Sequence, residues 1–142
     1  MSWLIDTNVL SELRKGSRAD NRVRAWFDAT AEAELFTSVL VLGEIRRGVE
    51  LIRRRDSTAA ETLERWMKLL PDHFAGRLLP IDSAVAECWG ALNVPNPIPT
   101  IDGLLAATAI VHDLVLATRN TADISRTGVR YFNPFEGSPS AQ

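Results

Sequence analysis

Four acidic residues occupy positions at which a folded chain could bring their carboxylates together: Asp6, Glu44, Asp102 and Asp123. The first directly follows an apolar run at 3–5, and the last comes shortly after another at 115–118. The second lies in an apolar helical stretch, and the third opens a helix after a loop containing three prolines. If these runs are strands of one sheet, the acids gather at the same edge.

Such a gathering of carboxylates requires a counter-charge. Two unit charges about 5 Å apart repel by roughly 3 kcal/mol at an effective dielectric near 20. Four of them contain six pairs, so the repulsion is comparable with the stability of a whole domain. Either some carboxyls are protonated, or a metal ion neutralises them. Because the donors are all oxygens and neither His73 nor His112 lies near them, the pattern favours Mg²⁺ or Mn²⁺. Such ions activate water and stabilise charge on a phosphodiester.

Each acid also has a simpler structural interpretation. Asp6 could serve only as the N-cap of a short helix, and Asp102 could complement a helix dipole. Asn120 and Asp123 could be a cap and its neighbour in one helical turn. Glu44 is the least explained in this way, because it follows the apolar stretch 39–43. Both interpretations stay open at this point.

The elements that would position these residues alternate between strand and helix. Periodicity predicts strands over 3–5, 35–37, 78–81, 115–118 and 129–132. It predicts helices from about 7 to 16 and over 20–31, 38–52, 58–70, 83–92 and 102–112, with a break or kink at Pro71. This alternation predicts an α/β fold with a mainly parallel sheet covered on both faces. In such folds, ligands bind beyond the carboxyl ends of the strands.

Composition fits one globular domain. The chain has 142 residues, of which 46% are hydrophobic and 24% charged. We expect a domain over 1–135 and a flexible tail over 136–142. The single cysteine, Cys88, together with the lack of a leader or of an apolar run of roughly 18 residues, predicts a cytoplasmic protein without a membrane span. The net charge of −2 argues against a protein that coats nucleic acid by bulk charge, but not against a nuclease.

Five stretches of the sequence resemble PIN domains of the VapC toxin and FitB-like branch. They are LIDTNVLSE at 4–12, SVLVLGEI at 38–45, PTIDGLLAATA at 99–109, TRNTADI at 118–124 and NPF at 133–135. The resemblance covers nearly the whole chain, in the family's order. One departure is the loop NVPNPI at 93–98, where the family often has glycine-rich sequence.

The resemblance implies a three-layer α/β/α sandwich and an endoribonuclease that depends on Mg²⁺ or Mn²⁺. It also implies a toxin–antitoxin pair, in which a small antitoxin blocks the site and binds its own operator, and a homodimeric toxin. Asp6, Glu44, Asp102 and Asp123 fall on the family's acidic positions, which would bind the metal and carry catalysis. Asn8, Thr118 and Asn120 fall on the polar positions around them, where they would orient the carboxylates.

Basic residues could contact the phosphates of an RNA substrate. Two arginines are the best individual candidates. They are Arg119, in the stretch 118–124, and Arg47, just after Glu44. The arginines between 46 and 55 could equally form a solvated helix face. Two other functions stay open. One is a phosphoryl-transfer enzyme with Asp6 as nucleophile, although such enzymes usually carry a second Asp where Asn8 stands. The other is a PIN-like binding module without catalysis.

Overall fold

A five-stranded parallel sheet forms the centre of the computed structural model, which describes residues 1–137. The strands are β1 (Trp3–Ile5), β2 (Leu35–Ser38), β3 (Leu78–Leu79), β4 (Val115–Ala117) and β5 (Tyr131–Phe132). Their order across the sheet is β3-β2-β1-β4-β5, and every neighbouring pair runs parallel. The first strand therefore lies at the centre, and its residues are fully enclosed because both faces are covered.

Six helices connect and cover these strands, which gives the three-layer α/β/α sandwich expected from the sequence. They are α1 (Thr7–Leu13), α2 (Asn21–Asp28), α3 (Val39–Arg53), α4 (Ser57–His73), α5 (Ser83–Leu92) and α6 (Thr100–Val111). Five begin after a residue whose side-chain oxygen accepts a bond from an early backbone N–H of the helix: Asp6, Asp20, Ser38, Asp56 and Asp82. Helix α3 packs along α4, and α5 along α6.

The register of the sheet determines which residues meet at its carboxyl edge. Ile5 lies opposite Ala117, so the next residues, Asp6 and Thr118, emerge side by side. The backbone N–H of Asp6 still donates to the carbonyl of Ala117 at 3.0 Å. On the other side of β1, the end of β2 leads directly through Ser38 into α3, which carries Glu44. The central strand and its two neighbours thus deliver three polar segments to one edge.

A continuous apolar core holds this edge in place. Leu4, Ile5 and Leu116 are almost completely buried in the sheet, and Leu105 of α6 packs with them. Full burial of one such side chain contributes roughly 1.5–3 kcal/mol. Helix α6 also approaches α5 closely at Gly103, where an added Cβ would lie 3.2 Å from the Trp89 ring. The start of α6, and hence Asp102, is therefore fixed by close packing.

Most predicted elements are present, with differences at their ends. Helix α4 continues through Pro71 to His73 instead of breaking, because buried Leu70 and Phe74 hold its last turn against the core. The third and fifth strands are two residues long, shorter than predicted. Residues 138–142 of the predicted flexible tail lie outside the described residues, and Glu136 ends a 3-10 turn. In the part of the chain described, no helix combines the length and apolarity needed to cross a bilayer.

Candidate active site

An open cleft of about 550 Å³ lies at the carboxyl edge of the sheet. Three of the four predicted acids, Asp6, Glu44 and Asp102, are among its lining residues, and Asp123 adjoins it through Asn120. The rest of the lining comes from Thr7, Asn8, Asn120 and the segment Pro99 to Ile101. None of these lining residues carries a positive charge. The cleft therefore concentrates negative charge that no cation of its own lining offsets.

Asp6 is the most deeply placed of the acids, with only 5% of its surface exposed. One carboxylate oxygen accepts from the backbone N–H of Thr7 at 2.6 Å, so Asp6 is the N-cap of α1 as the structural interpretation predicted. The other accepts from the Thr118 hydroxyl at 2.6 Å and, more distantly, from the Asn8 amide at 3.4 Å. Capping and cleft lining are therefore compatible in this one residue.

Glu44 reaches the cleft from the second turn of α3. Its carboxylate accepts a hydrogen bond from the Thr7 hydroxyl at 2.6 Å. Thr7 directly follows Asp6, so the start of α1 holds one acid through its backbone and the other through its side chain. The apolar stretch before Glu44 is explained by the inward face of α3, where Val41 and Ile45 are buried.

Asp102 and Asp123 are joined by the side chain of Asn120. The Asn120 amide donates to Asp102 at 2.8 Å and to Asp123 at 3.1 Å. Its backbone N–H donates at 3.0 Å to the Thr118 hydroxyl, which itself donates to Asp6. Asn120 is therefore more than the cap of a helical turn, since it links one acid on α6 to another after β4. Neutral hydroxyl and amide donors therefore connect the end of β1, the start of α6 and the segment after β4.

Burial and mutual repulsion shift the protonation of two acids. The pKa of Asp102 is raised to about 6, first by burial and then by the charges of Asp6, Asp123 and Glu44. Burial also raises the pKa of Asp6, while the hydrogen bonds from Thr118 and Thr7 act in the opposite direction. The protonation of Asp102 is therefore coupled to the charges of three other carboxylates.

The donor set suits a hard divalent cation. The cleft offers carboxylate, hydroxyl and amide oxygens, with neither thiol nor imidazole in its lining. Within residues 1–137, no three carboxylate, imidazole or thiol groups already lie close enough together to enclose an ion. Mg²⁺ usually keeps several waters and takes only one or two direct carboxylate ligands, so the arrangement fits such an ion partly bound through water.

The predicted phosphate-contacting arginines occupy different environments. The Arg119 guanidinium stacks 4.2 Å from the centre of the Phe135 ring, and its backbone N–H donates to Asn8. Arg47 is exposed on α3, one turn after Glu44. Arg46 and Arg53, from the same basic stretch, form ion pairs with Glu50 and Glu64. These two arginines are ion-paired on the surface of α3, whereas the simpler interpretation predicted a solvated face.

Sequence reasoning missed the role of Thr7 and of the wall Pro99 to Ile101. Thr7 lies between the predicted site residues Asp6 and Asn8, and its hydroxyl donates to Glu44, 37 residues further along the chain. Its position directly after a strand-end Asp was the one signal available. The wall follows from the position of α6, whose start is set by contact with Trp89.

Comparison with known proteins gives the family. The PIN-domain family model matches residues 3–129. The toxin FitB of Neisseria gonorrhoeae is 35% identical over 139 residues, covering 93% of this chain and 97% of that protein. The VapC ribonuclease Y4jK of Sinorhizobium fredii is 34% identical, covering 94% and 97%. The crystal structure of FitAcB from Neisseria gonorrhoeae matches with a TM-score of 0.83 and 34% identity, covering 94% of this chain and 98% of that one.

These matches span almost the whole chain and almost the whole of each relative. The three-layer α/β/α fold agrees with the resemblance seen in the five motifs. The chain belongs to the PIN-domain family, in the branch of the FitB and VapC toxins.

Proposed function

We propose that this chain is the ribonuclease toxin of a toxin–antitoxin pair and that it cleaves RNA with a divalent cation held in the acidic cleft. The observation that carries the proposal is the convergence of Asp6, Glu44 and Asp102 on one cleft whose lining has no positive charge. A relative 34% identical over 140 residues is a VapC ribonuclease. Burial, and after it the charges of the neighbouring carboxylates, raise the pKa of Asp102, so an added cation would offset a repulsion already present.

In this proposal, the acids bind the cation and the neighbouring hydroxyl and amide groups orient the acids. Asp6, Glu44 and Asp102 would hold Mg²⁺ or Mn²⁺, partly through water, and Asp123 would complete the site. When bound, the ion would lower the pKa of a water and offset charge on the phosphodiester. Thr118 and Thr7 orient Asp6 and Glu44, while Asn120 orients the other two acids. Because water rather than the 2′-hydroxyl attacks, we expect products with 5′-phosphate and 3′-hydroxyl ends.

The partners follow from the branch. The substrate would be RNA, entering the open cleft, with Arg119, next to Asn120 in sequence, and Arg47, one turn after Glu44, as the candidates to contact phosphates. One similar protein, from Neisseria gonorrhoeae, is a toxin, and another similar chain, from Klebsiella pneumoniae, was solved in a toxin–antitoxin complex. We infer such an antitoxin for this chain. A homodimer and a cytoplasmic location stay predictions.

The alternative of an aspartyl nucleophile is less favoured by the geometry. Both oxygens of Asp6 already accept hydrogen bonds, and the side chain is 5% exposed, which leaves little room for attack on phosphorus. A phosphorylated Asp6 trapped from a phosphate donor would overturn the proposal.

The test is RNA cleavage by the purified chain, expressed with and without its genomic neighbour. We expect cleavage with Mn²⁺ or Mg²⁺, none with EDTA, and growth arrest that the neighbouring gene relieves. Ligation of adaptors that require 5′-phosphate ends would identify the chemistry, and 2′,3′-cyclic phosphate ends would contradict it. Saturating Mn²⁺ should also raise the melting temperature, by about 6–10 °C at 100 times its Kd. A non-catalytic binding module would cleave nothing under any of these conditions.

A further inference from the structure

Two segments without strands or α-helices each contribute one residue to the lining of the cleft, Pro99 and Asn120. One is the proline loop, residues 93–99, which leads into α6 and the wall at Pro99 to Ile101. The other is the motif-four segment, residues 119–127, which carries Asn120 and Asp123. Neither segment has a β-ladder to fix it. Prolines at 95, 97 and 99 also remove backbone N–H donors from the loop.

The base of the proline loop is fixed by Asn93. Its amide donates to the carbonyl of Trp89 at 2.7 Å, and its side-chain oxygen accepts from the backbone N–H of Ile98 at 2.9 Å. Ile98 is buried, so both ends of the loop are held against the core. The residues between them, 94–97, are exposed. The hydrogen bonds of Asn93 do not reach this outer part of the loop, residues 94–97.

Arg126, in the motif-four segment, contacts this outer part of the loop. Its guanidinium donates to the carbonyls of Asn96 at 3.3 Å and of Pro97 at 2.6 Å. The two nitrogens of one planar group thus bridge two successive carbonyls about 30 residues away. Inside the cleft, the motif-four segment is also linked to α6, where Asn120 donates to Asp102. The bonds of Asn120 therefore link two of the acids, and those of Arg126 link the proline loop to the motif-four segment outside the cleft lining.

We propose that Arg126 is a positioning residue that sets the width of the cleft mouth for the RNA substrate. It does so by bracing the proline loop against the motif-four segment, without itself contacting the RNA. The inference rests on the proposed ribonuclease function. Asp102 is held independently by the contact of Gly103 with Trp89, so loss of the brace would affect the substrate wall more than the acids.

The experiment compares Arg126→Ala with Arg130→Ala. Arg130 is also exposed and also donates to a backbone carbonyl, that of Asp113, but it lies before β5 at the amino edge of the sheet. We expect Arg126→Ala to raise the KM for a single-stranded RNA substrate about three- to tenfold, while kcat changes less than twofold. Arg130→Ala should leave both unchanged. An unchanged KM in Arg126→Ala, or an equal rise in Arg130→Ala, would overturn the proposal.

A direct phosphate contact by Arg126 would also raise KM, so two further measurements separate it from a brace. Lysine keeps the charge but cannot bridge both carbonyls in the same way, so Arg126→Lys should resemble Arg126→Ala. The slope of log KM against log salt concentration should stay that of the wild type in both variants. A slope reduced by about 0.7, with KM restored by lysine, would indicate a lost phosphate contact and overturn the brace.

Hydrogen exchange gives a readout that does not depend on activity. Amides in the proline loop should exchange at least about threefold faster in Arg126→Ala than in the wild type or Arg130→Ala, because the loop opens more often. Unchanged exchange would overturn the brace. If the wild-type chain cleaves no RNA, the proposed function is wrong, and this exchange comparison still decides whether Arg126 holds the loop.

Discussion

The acidic cleft and the charged face between α3 and α4 use charge in opposite ways. On the helix face, Arg46 and Arg53 of α3 each pair with Glu50 of the same helix and with Glu64 of α4. We call these four residues the ion-pair cluster. In the cleft, by contrast, all the charged lining residues are negative, and their hydrogen-bond partners are neutral hydroxyl and amide groups.

The protonation equilibria of the two regions shift in opposite directions. Hydrogen bonds from Arg46 lower the pKa of Glu50 and of Glu64. Burial and neighbouring carboxylates raise the pKa of Asp102 to about 6. The acids of the ion-pair cluster are paired with arginines of the same cluster, whereas the charge of the cleft lining would be offset only by the proposed cation. Charge that destabilises the isolated fold is expected where function needs it.

The largest effect on RNA cleavage is expected when the carboxylate of Asp6, the most buried acid of the cleft, is removed. We expect Asp6→Asn to lower kcat/KM for RNA about 100-fold or more, because the substitution removes a charged carboxylate that we propose as a metal ligand. The melting temperature without metal should be equal or higher, since one repulsive buried charge is gone. Asp28→Asn is the matched control, since Asp28 is exposed on α2 and pairs only with Arg24 in the described ion pairs. Unchanged cleavage by Asp6→Asn would remove Asp6 from the site.

A smaller effect is expected when an acid keeps its charge but loses its orientation. Thr7→Val deletes the hydroxyl that donates to Glu44 at 2.6 Å and leaves every carboxylate in place. We expect metal affinity or kcat to fall about tenfold, as is usual when a group that orients a ligand is removed. Mn²⁺ titration of cleavage measures this. Thr7→Ser keeps the hydroxyl and should restore most of the activity, and a serine variant as impaired as the valine one would contradict the assignment.

The sequence predicted the cleft better than the ion-pair cluster, for a physical reason. Acids after strands of a parallel sheet must reach one edge, so Asp6 and Asp123 could be placed without knowing any helix orientation. Glu50 lies four residues from Arg46, which a sequence pattern detects. Glu64 lies on another helix, and its pairing with Arg46 depends on how α3 and α4 pack, which the pattern does not contain.

Packing between elements also explains why some predicted strand and helix ends differ from those in the structure. The short strands β3 and β5 were predicted too long, because only their register against β2 and β4 decides where pairing stops. A break or kink was predicted at Pro71, and α4 does not break there, because the burial of Leu70 and Phe74 outweighs one missing backbone bond. Local rules were sufficient where a strand end determined position and insufficient where packing between elements determined it.

The raised pKa of Asp102 should make the stability of the metal-free protein depend on pH. Folding raises the pKa of Asp102 from 3.8 to about 6, so the folded chain binds this proton more tightly than the unfolded chain. Without metal, the group should therefore cost no stability below pH 4, and its destabilising effect should grow as the pH rises to 6. The melting temperature of Asp102→Asn relative to wild type should increase by about 3 °C between pH 4 and 7, a modest amount because the side chain is partly exposed. Asp28→Asn should show a flat difference, and a flat difference for Asp102→Asn would contradict the raised pKa.

The smallest effect is expected from the ion-pair cluster, where exposure to solvent weakens each pair. Glu64→Gln removes the charge that Arg46 and Arg53 share. We expect the melting temperature to fall by about 1–3 °C in low salt and by less in 0.5 M NaCl, because the lost attraction is one that salt screens. Glu61→Gln on the same helix is the control, since the ion pairs of the described residues do not include Glu61. RNA cleavage should be unchanged in both variants. If Glu64→Gln instead abolished cleavage, the cluster would be part of the site, and the division between a self-sufficient charged face and an incomplete acidic cleft would be wrong.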